Sequence, residues 1–228
     1  MPIRVGIDGT GSRVNPGQER NLRYFEEFKN TFVSRICRAK PNSKYLAGPV
    51  LLGGGLPEAI TAGVKFIEEQ VKKPGNKQPV LLTGYSRGGL GVIVIAEELK
   101  KKNINVEAML LFDAVDRHGG FNAASIPNNV ANVLHNIRDP LSSSRESFGN
   151  CGLQSTAPTN YPTPTKYMCT HGGMGGAPWL PAKGQAETDF IDEEYYDGWT
   201  KITFKQDAFV SNKIWQDCQP FMAKYGFV

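Results

Sequence analysis

The chain has 228 residues, 40% of them hydrophobic and 21% charged, a balance that suits a globular protein with a sizeable core and not a disordered one. The net charge of +4 is spread thinly, and its one short run, Lys100-Lys101-Lys102, falls at a predicted helix end where cations suit the dipole, so a nucleic-acid footprint is missing. No apolar run approaches the roughly 20 residues of a transmembrane segment. The start, MPIRVGIDGTG, is not a secretory signal, and none of the four cysteines forms a C-x-x-C pair; the default is a cytoplasmic protein with reduced thiols and no zinc site. Leaderless export would instead permit a Cys151–Cys169 bridge.

Residues 3–7 (IRVGI) read as a buried strand, followed by a tight loop, Asp8-Gly9-Thr10-Gly11-Ser12, and a polar stretch with a turn at Asn15-Pro16-Gly17. From residue 21 the spacing changes. Leu22, Phe25, Phe28, Phe32 and Ile36 predict an amphipathic helix to about residue 38, broken by Pro41-Asn42. Residues 44–52 predict a second strand. Pro57 then opens a helix whose buried face is Ile60, Val64, Ile67 and Val71. Residues 79–83 form a third apolar strand, Gly84-Tyr85-Ser86-Arg87-Gly88 a sharp turn, and a helix follows to about Lys101. A fourth strand, residues 105–112, delivers Asp113 at its end, and a fifth, residues 129–137, delivers Asp139-Pro140. Residues 141–164 lack periodicity and are long for a structureless connection, which predicts a segment that is functional, mobile or packed irregularly over the sheet. Residues 165–169 predict a short sixth strand, with His171 in the Gly-rich loop beyond it. Residues 177–203 carry no assignment, and residues 207–224 predict a terminal helix packing through Phe209, Ile214, Trp215 and Phe221.

Alternating strands and helices predict a single α/β domain spanning residues 1–228, with a mostly parallel sheet of about six strands in the order 2-1-3-4-5-6. Ligands gather at the C-terminal ends of such strands. Asp8, Ser86, Asp113, Asp139 and His171 therefore share one rim. The turn is a G-x-S-x-G pattern in strand–turn–helix context, which exposes a serine hydroxyl. That hydroxyl needs a base, and the base an orienting acid. Of three histidines, His135 lies inside the fifth strand and reads as core. His171 is the favoured base and His118, after the fourth strand, the alternative. Asp113 and Asp139 compete as the acid, with Asp116 an outside choice, and spacing does not choose between them. The oxyanion would take the backbone N–H of Arg87 and that of Gly9 or Thr10. The Arg87 side chain either meets an anionic substrate group or pairs with Asp8 or Glu19. Two other function classes remain: an actin-like phosphoryl-transfer enzyme using the Asp8-Gly9-Thr10 loop, and a catalytically silent fold acting as an interaction module. The first would need a second copy of the loop, which the chain lacks, and there is no G-K-[ST] either.

Four motifs occur in a telling order: Val5-Gly6-Ile7-Asp8-Gly9-Thr10-Gly11, Gly84-Tyr85-Ser86-Arg87-Gly88-Gly89, Leu111-Phe112-Asp113-Ala114-Val115 and His171-Gly172-Gly173-Met174-Gly175-Gly176. Together they resemble a group of bacterial α/β-hydrolases with an F-D-G-T-G start, a G-F-S-R-G elbow, a W-D-T-V strand end and an H-x-D-V-G-G-G loop. That group includes phospholipase effectors delivered by type VI secretion. The resemblance covers residues 3–176 at these motifs alone. It implies a three-layer α/β-hydrolase sandwich and a triad of Ser86, Asp113 and His171, which selects Asp113 over Asp139. It further implies hydrolysis of a small-molecule or lipid ester with no metal or organic cofactor. Phe112 stands where the group has Trp, and Gly173 where it has Asp.

Overall fold

Strands covered on both faces are apolar at successive positions, and the centre of this sheet shows why. The computed structural model describes residues 1–11, 29–50, 54–117, 119–193 and 198–228. In chain order its elements are β1 (Ile3–Ile7), α1 (Phe32–Cys37), β2 (Ser43–Leu46), α2 (Leu56–Val71), β3 (Val80–Tyr85), α3 (Arg87–Lys100), β4 (Val106–Phe112), β5 (Ser125–Ile126), β6 (Val130–Arg138), β7 (Gln154–Ser155), β8 (Thr165–Tyr167), α4 (His171–Met174), β9 (Phe190–Asp192), β10 (Trp199–Thr203) and α5 (Phe204–Tyr225). Every residue of β3 is buried. Val80 and Leu82 of β3, with Met109 and Leu111 of β4, pack with α2 and α3 residues such as Ile60, Ile67, Leu90 and Ile93. Leu81 of β3, with Leu110 and Phe112 of β4, packs with Phe32 and Ile36 of α1 and Ile214 and Met222 of α5. The period of two along each strand thus sorts side chains into two cores.

The sheet has six strands in the order β2-β1-β3-β4-β6-β8. Each adjacent pair is parallel. This is an α/β protein with an all-parallel six-stranded sheet flanked by helices. The expected strand order holds. Two short ribbons, β5 with β7 and β9 with β10, stand outside the sheet.

Several local expectations change. The second strand stops at Leu46, because Gly48 lies against the Asp8–Gly9 backbone: a Cβ there would sit 2.0 Å from the Asp8 carbonyl oxygen. Of the helix expected from residue 21 to about 38, residues 29–38 are described, and only Phe32–Cys37 is helical, with Thr31 and Arg38 as its caps; Glu19, Leu22, Phe25 and Phe28 lie outside the described residues. The terminal helix starts three residues early, at Phe204, where the Thr203 hydroxyl accepts from the Gln206 N–H at 3.2 Å. Phe209, expected to pack, is 69% exposed. Residues 141–164 are packed, not structureless: they contain a 3-10 turn (Pro140–Ser142) at their start and β7 within them. All four cysteines are free and buried. Among the described residues, no helix is long and apolar enough to cross a membrane.

Candidate active site

The turn after β3 is built around a residue in a conformation that L side chains avoid. Ser86 has φ 57° and ψ −131°, a region that costs about 1–3 kcal/mol for a residue with a Cβ. Its neighbours hold it there. The Ser86 N–H donates to the Phe112 carbonyl at 3.0 Å, and its own carbonyl accepts from Gly89 at 2.9 Å and Val115 at 3.2 Å. The two motif glycines are needed for close approach. A Cβ on Gly88 would lie 2.1 Å from the Ile7 carbonyl oxygen, and one on Gly84 would lie 2.6 Å from that of Gly88.

Asp113 leaves β4 with φ 46°. Its N–H donates to the Asn136 carbonyl at 2.7 Å, so the turn is fastened to the adjoining strand β6. Its carboxylate is fully buried and takes four donors. The Oδ1 atom accepts from Asn150 Nδ2 at 2.7 Å and from the Arg138 backbone at 3.3 Å. The Oδ2 atom accepts from His171 Nδ1 at 2.6 Å and from Arg138 Nη1.

His171 opens α4, and three elements fix its backbone. Thr170 caps the helix, its hydroxyl accepting from Gly173 at 3.0 Å while donating to Asp207 Oδ2 of α5 at 2.8 Å. The His171 N–H donates to Ser144 Oγ at 2.9 Å, and its carbonyl accepts from the Tyr85 hydroxyl at 2.9 Å. Tyr85 and Phe148 flank the ring, the latter in a T-shaped contact, each with its centroid 5.1 Å from the imidazole's. The Nε2 atom lies 2.8 Å from Ser86 Oγ. A carboxylate only accepts, so Nδ1 carries the proton and Nε2 is left to accept from the serine hydroxyl. Ser86 is 4% exposed and His171 8%.

Burial pushes the Asp113 carboxyl up, but the hydrogen bond from His171 and the charge of Arg138 outweigh it and hold the group well below the usual carboxylate range. Burial draws His171 below its ordinary value, against the pull of Asp113. The structure thus brings together Ser86, His171 and Asp113, residues from three separate strand ends.

The other candidates lie elsewhere. Asp139 caps the 3-10 turn, its Oδ1 accepting from the Leu141 N–H at 2.9 Å. Asp116 is exposed. Both ring nitrogens of His171 are engaged by Ser86 and Asp113, so neither of the other acids holds it. His118 lies outside the described residues. His135 is a bonded core residue: Nε2 accepts from the Ala114 N–H at 3.3 Å, Nδ1 faces the Tyr161 hydroxyl at 3.1 Å, and burial lowers its pKa to about 4. Asp8 is spent on structure. Its Oδ2 accepts from Thr31 at 2.6 Å and Tyr45 at 2.8 Å, and its Oδ1 accepts the Gly9 N–H at 2.9 Å. Burial, only partly offset by these donors, pushes its pKa up to about 6. The Gly9 loop still abuts the serine, for a Cβ on Gly9 would lie 3.2 Å from that of Ser86. Arg87 donates to Thr10 Oγ1 at 3.2 Å, a link from the elbow to the first loop.

Sequence reasoning missed Arg138, Ser144, Phe148, Asn150 and Glu193. Arg138 has a faint signal, a cation ending an apolar strand. Glu193 is buried, with Oε2 accepting from Ser144 Oγ at 3.0 Å and the Arg145 N–H at 2.9 Å, so the β9–β10 ribbon is tied to the segment that holds His171. An open surface depression of about 350 Å³ lies at the opposite end of the sheet, where β3 and β4 begin, away from these residues.

No protein-family model matches the chain, and no curated protein does. Among solved structures it is similar to that of a "putative YdeN-like hydrolase" from Pectobacterium atrosepticum. The identity is 16%, and the match covers 60% of this chain and 65% of that one, less than two thirds of its length, with a TM-score of 0.34. A likeness at this level speaks to neither substrate nor mechanism.

Proposed function

We propose that the protein is a serine hydrolase that cleaves a carboxylic ester through an acyl-serine intermediate. The observation that carries this reading is the hydrogen-bonded line from Asp113 through His171 to Ser86 Oγ, with the serine on a turn of positive φ. In this reading Ser86 Oγ attacks the ester carbonyl while His171 Nε2 takes its proton. Asp113 holds the Nδ1–H tautomer and stabilises the imidazolium. The tetrahedral oxyanion is held by the backbone N–H groups of Arg87, the residue after the nucleophile, and Thr10. Thr10 is preferred to Gly9, whose N–H faces the Asp8 carboxylate. His171 then protonates the leaving alcohol, and water activated by the same imidazole releases the acid.

The substrate in this reading is a small-molecule ester. Between Ser86 and Asp113 the chain inserts nothing beyond α3 and β4 that could cap a long acyl chain. The resemblance to the type VI effectors is loosened again at Gly173, where that group carries Asp. A Cβ on Gly173 would lie 2.4 Å from Asp207 Oδ1, so the space beside the histidine loop is filled by a carboxylate from α5 instead. Phosphoryl transfer gains no support from Asp8, whose oxygens are both bonded within the protein.

A fluorophosphonate probe is expected to label the wild-type protein, and nucleotides with magnesium are expected to leave its melting temperature unchanged. An unlabelled protein would speak for the silent interaction module, and one stabilised by nucleotide for phosphoryl transfer.

The pH dependence follows from His171. The base works as neutral imidazole, and burial lowers its pKa from 6.5, so the site stays competent as the pH falls below the ordinary histidine midpoint. The acidic limb of the labelling rate is expected to have its midpoint below pH 6.5. A midpoint at 7 or above would mean that the pull of Asp113 dominates.

A further inference from the structure

Arg138 ends β6 beside Asp113 and is 6% exposed. A guanidinium offers five donors in a rigid fork, and this one is heavily used. Nη1 donates to Asp113 Oδ2, Nε to the Ser144 carbonyl at 2.9 Å, and Nη2 to the carbonyls of Arg145, at 2.9 Å, and Phe148. The oxygen that faces His171 therefore also faces a permanent cation. That cation in turn binds the segment whose Ser144 and Phe148 both touch His171.

We propose that Arg138 is a positioning residue of the triad, sharing the charge of Asp113 with His171 and fastening residues 144–148 as the wall of the imidazole. The proposal rests on the hydrolase reading of the site. The two halves of this role are separable, because one needs only a positive charge and the other needs the fork.

The charge half acts on the base. The groups facing His171 are Asp113 from the end of β4, Arg138 from β6, Arg145 from the segment beyond the 3-10 turn, the neutral phenol of Tyr85 from β3, and Asp207 of α5 through Thr170. Arg145 is paired with Glu193, Nε to Oε1 at 3.4 Å, and Arg117 lies over the Phe148 ring, 4.3 Å from its centroid. With Arg138 neutralised, the Asp113 anion would act on the imidazole without that compensation, and the protonated, inactive base would persist to higher pH.

The test compares wild type, Arg138→Gln and Arg138→Lys by the pH dependence of fluorophosphonate labelling and by NMR titration of the His171 ring. Arg138→Gln is expected to raise both midpoints by about one pH unit. Arg138→Lys keeps a point charge without the fork. It is expected to titrate within about 0.3 unit of wild type yet to label at least about tenfold more slowly at every pH. An unmoved midpoint in a folded Arg138→Gln protein would overturn the charge role, and wild-type labelling by Arg138→Lys would overturn the fork role. If Arg138→Gln does not fold, Arg138→Lys decides alone: wild-type labelling, or a midpoint shifted by a full unit, counts against the proposal. A wild type that no probe labels would defeat the hydrolase reading, while the NMR titration would still report on Arg138.

Discussion

Ser86→Ala is expected to abolish fluorophosphonate labelling and to lower ester turnover by at least about 10³-fold. The substitution removes the hydroxyl that the His171 Nε2 lone pair addresses, 2.8 Å away, and leaves the elbow's backbone bonds in place. Its effect on stability is expected to be small, within about 1 kcal/mol, since one hydrogen bond is lost and alanine meets the same positive-φ penalty as serine. Ser86→Gly separates function from strain. It is equally inactive, but glycine adopts φ 57° without a Cβ clash, so it is expected to be more stable than Ser86→Ala by about 1 kcal/mol. Intact-mass analysis after probe treatment and thermal unfolding of both variants measure the two effects. Labelling that survived in Ser86→Ala would move the nucleophile elsewhere, and equal stability of the two variants would mean that the elbow is not strained.

The sheet was legible because its central strands are covered on both faces and read as largely apolar runs, ending near a polar residue. The alternation of those runs with helical segments pointed to right-handed crossovers and a parallel sheet. The same logic placed Ser86, Asp113 and His171 at strand ends on one rim. What sequence periodicity could not provide was the layer outside the sheet. In β9–β10 only alternate residues such as Ile191 and Ile202 are buried, on a ribbon of two short strands, too little signal against the polar residues around it. Arg138 was hidden for a different reason. It stands next to Asp139, a residue type with an obvious catalytic role, and the pleat sends neighbouring side chains to opposite faces. The residue that joins the site is the cation, while the neighbouring acid caps a turn. Which of two adjacent polar residues faces the centre depends on the phase of the strand, and no motif records that phase. Gly173 is a similar case: its lack of a side chain makes sense only once Asp207, 34 positions later, is seen to occupy the space.

Asp113→Asn is expected to lower turnover by about 10⁴-fold and to cost about 3 kcal/mol of stability, whereas Asp139→Asn is expected to leave both near wild type. The contrast follows from counting donors. At Asp113, Oδ2 receives His171 and Arg138 while Oδ1 receives Asn150 and the Arg138 backbone. An amide must turn its NH₂ toward one pair or the other, and either orientation sets a donor against two donors in a buried site. If the NH₂ faces His171, the imidazole must take the other tautomer, which puts a proton on Nε2 and removes the acceptor for the serine hydroxyl. If it faces Asn150, the tautomer survives, but Arg138 remains a buried cation without its counter-charge, and the imidazolium of the transition state loses its support. At Asp139 the one bond in question runs from the Leu141 N–H to a side-chain oxygen, which asparagine also supplies, and asparagine caps a turn about as well as aspartate. Turnover and thermal unfolding of both variants decide the matter. A severe loss in Asp139→Asn with a mild one in Asp113→Asn would reassign the acid, and an Asp113→Asn protein that stayed fully stable would show that Arg138 does not depend on this carboxylate.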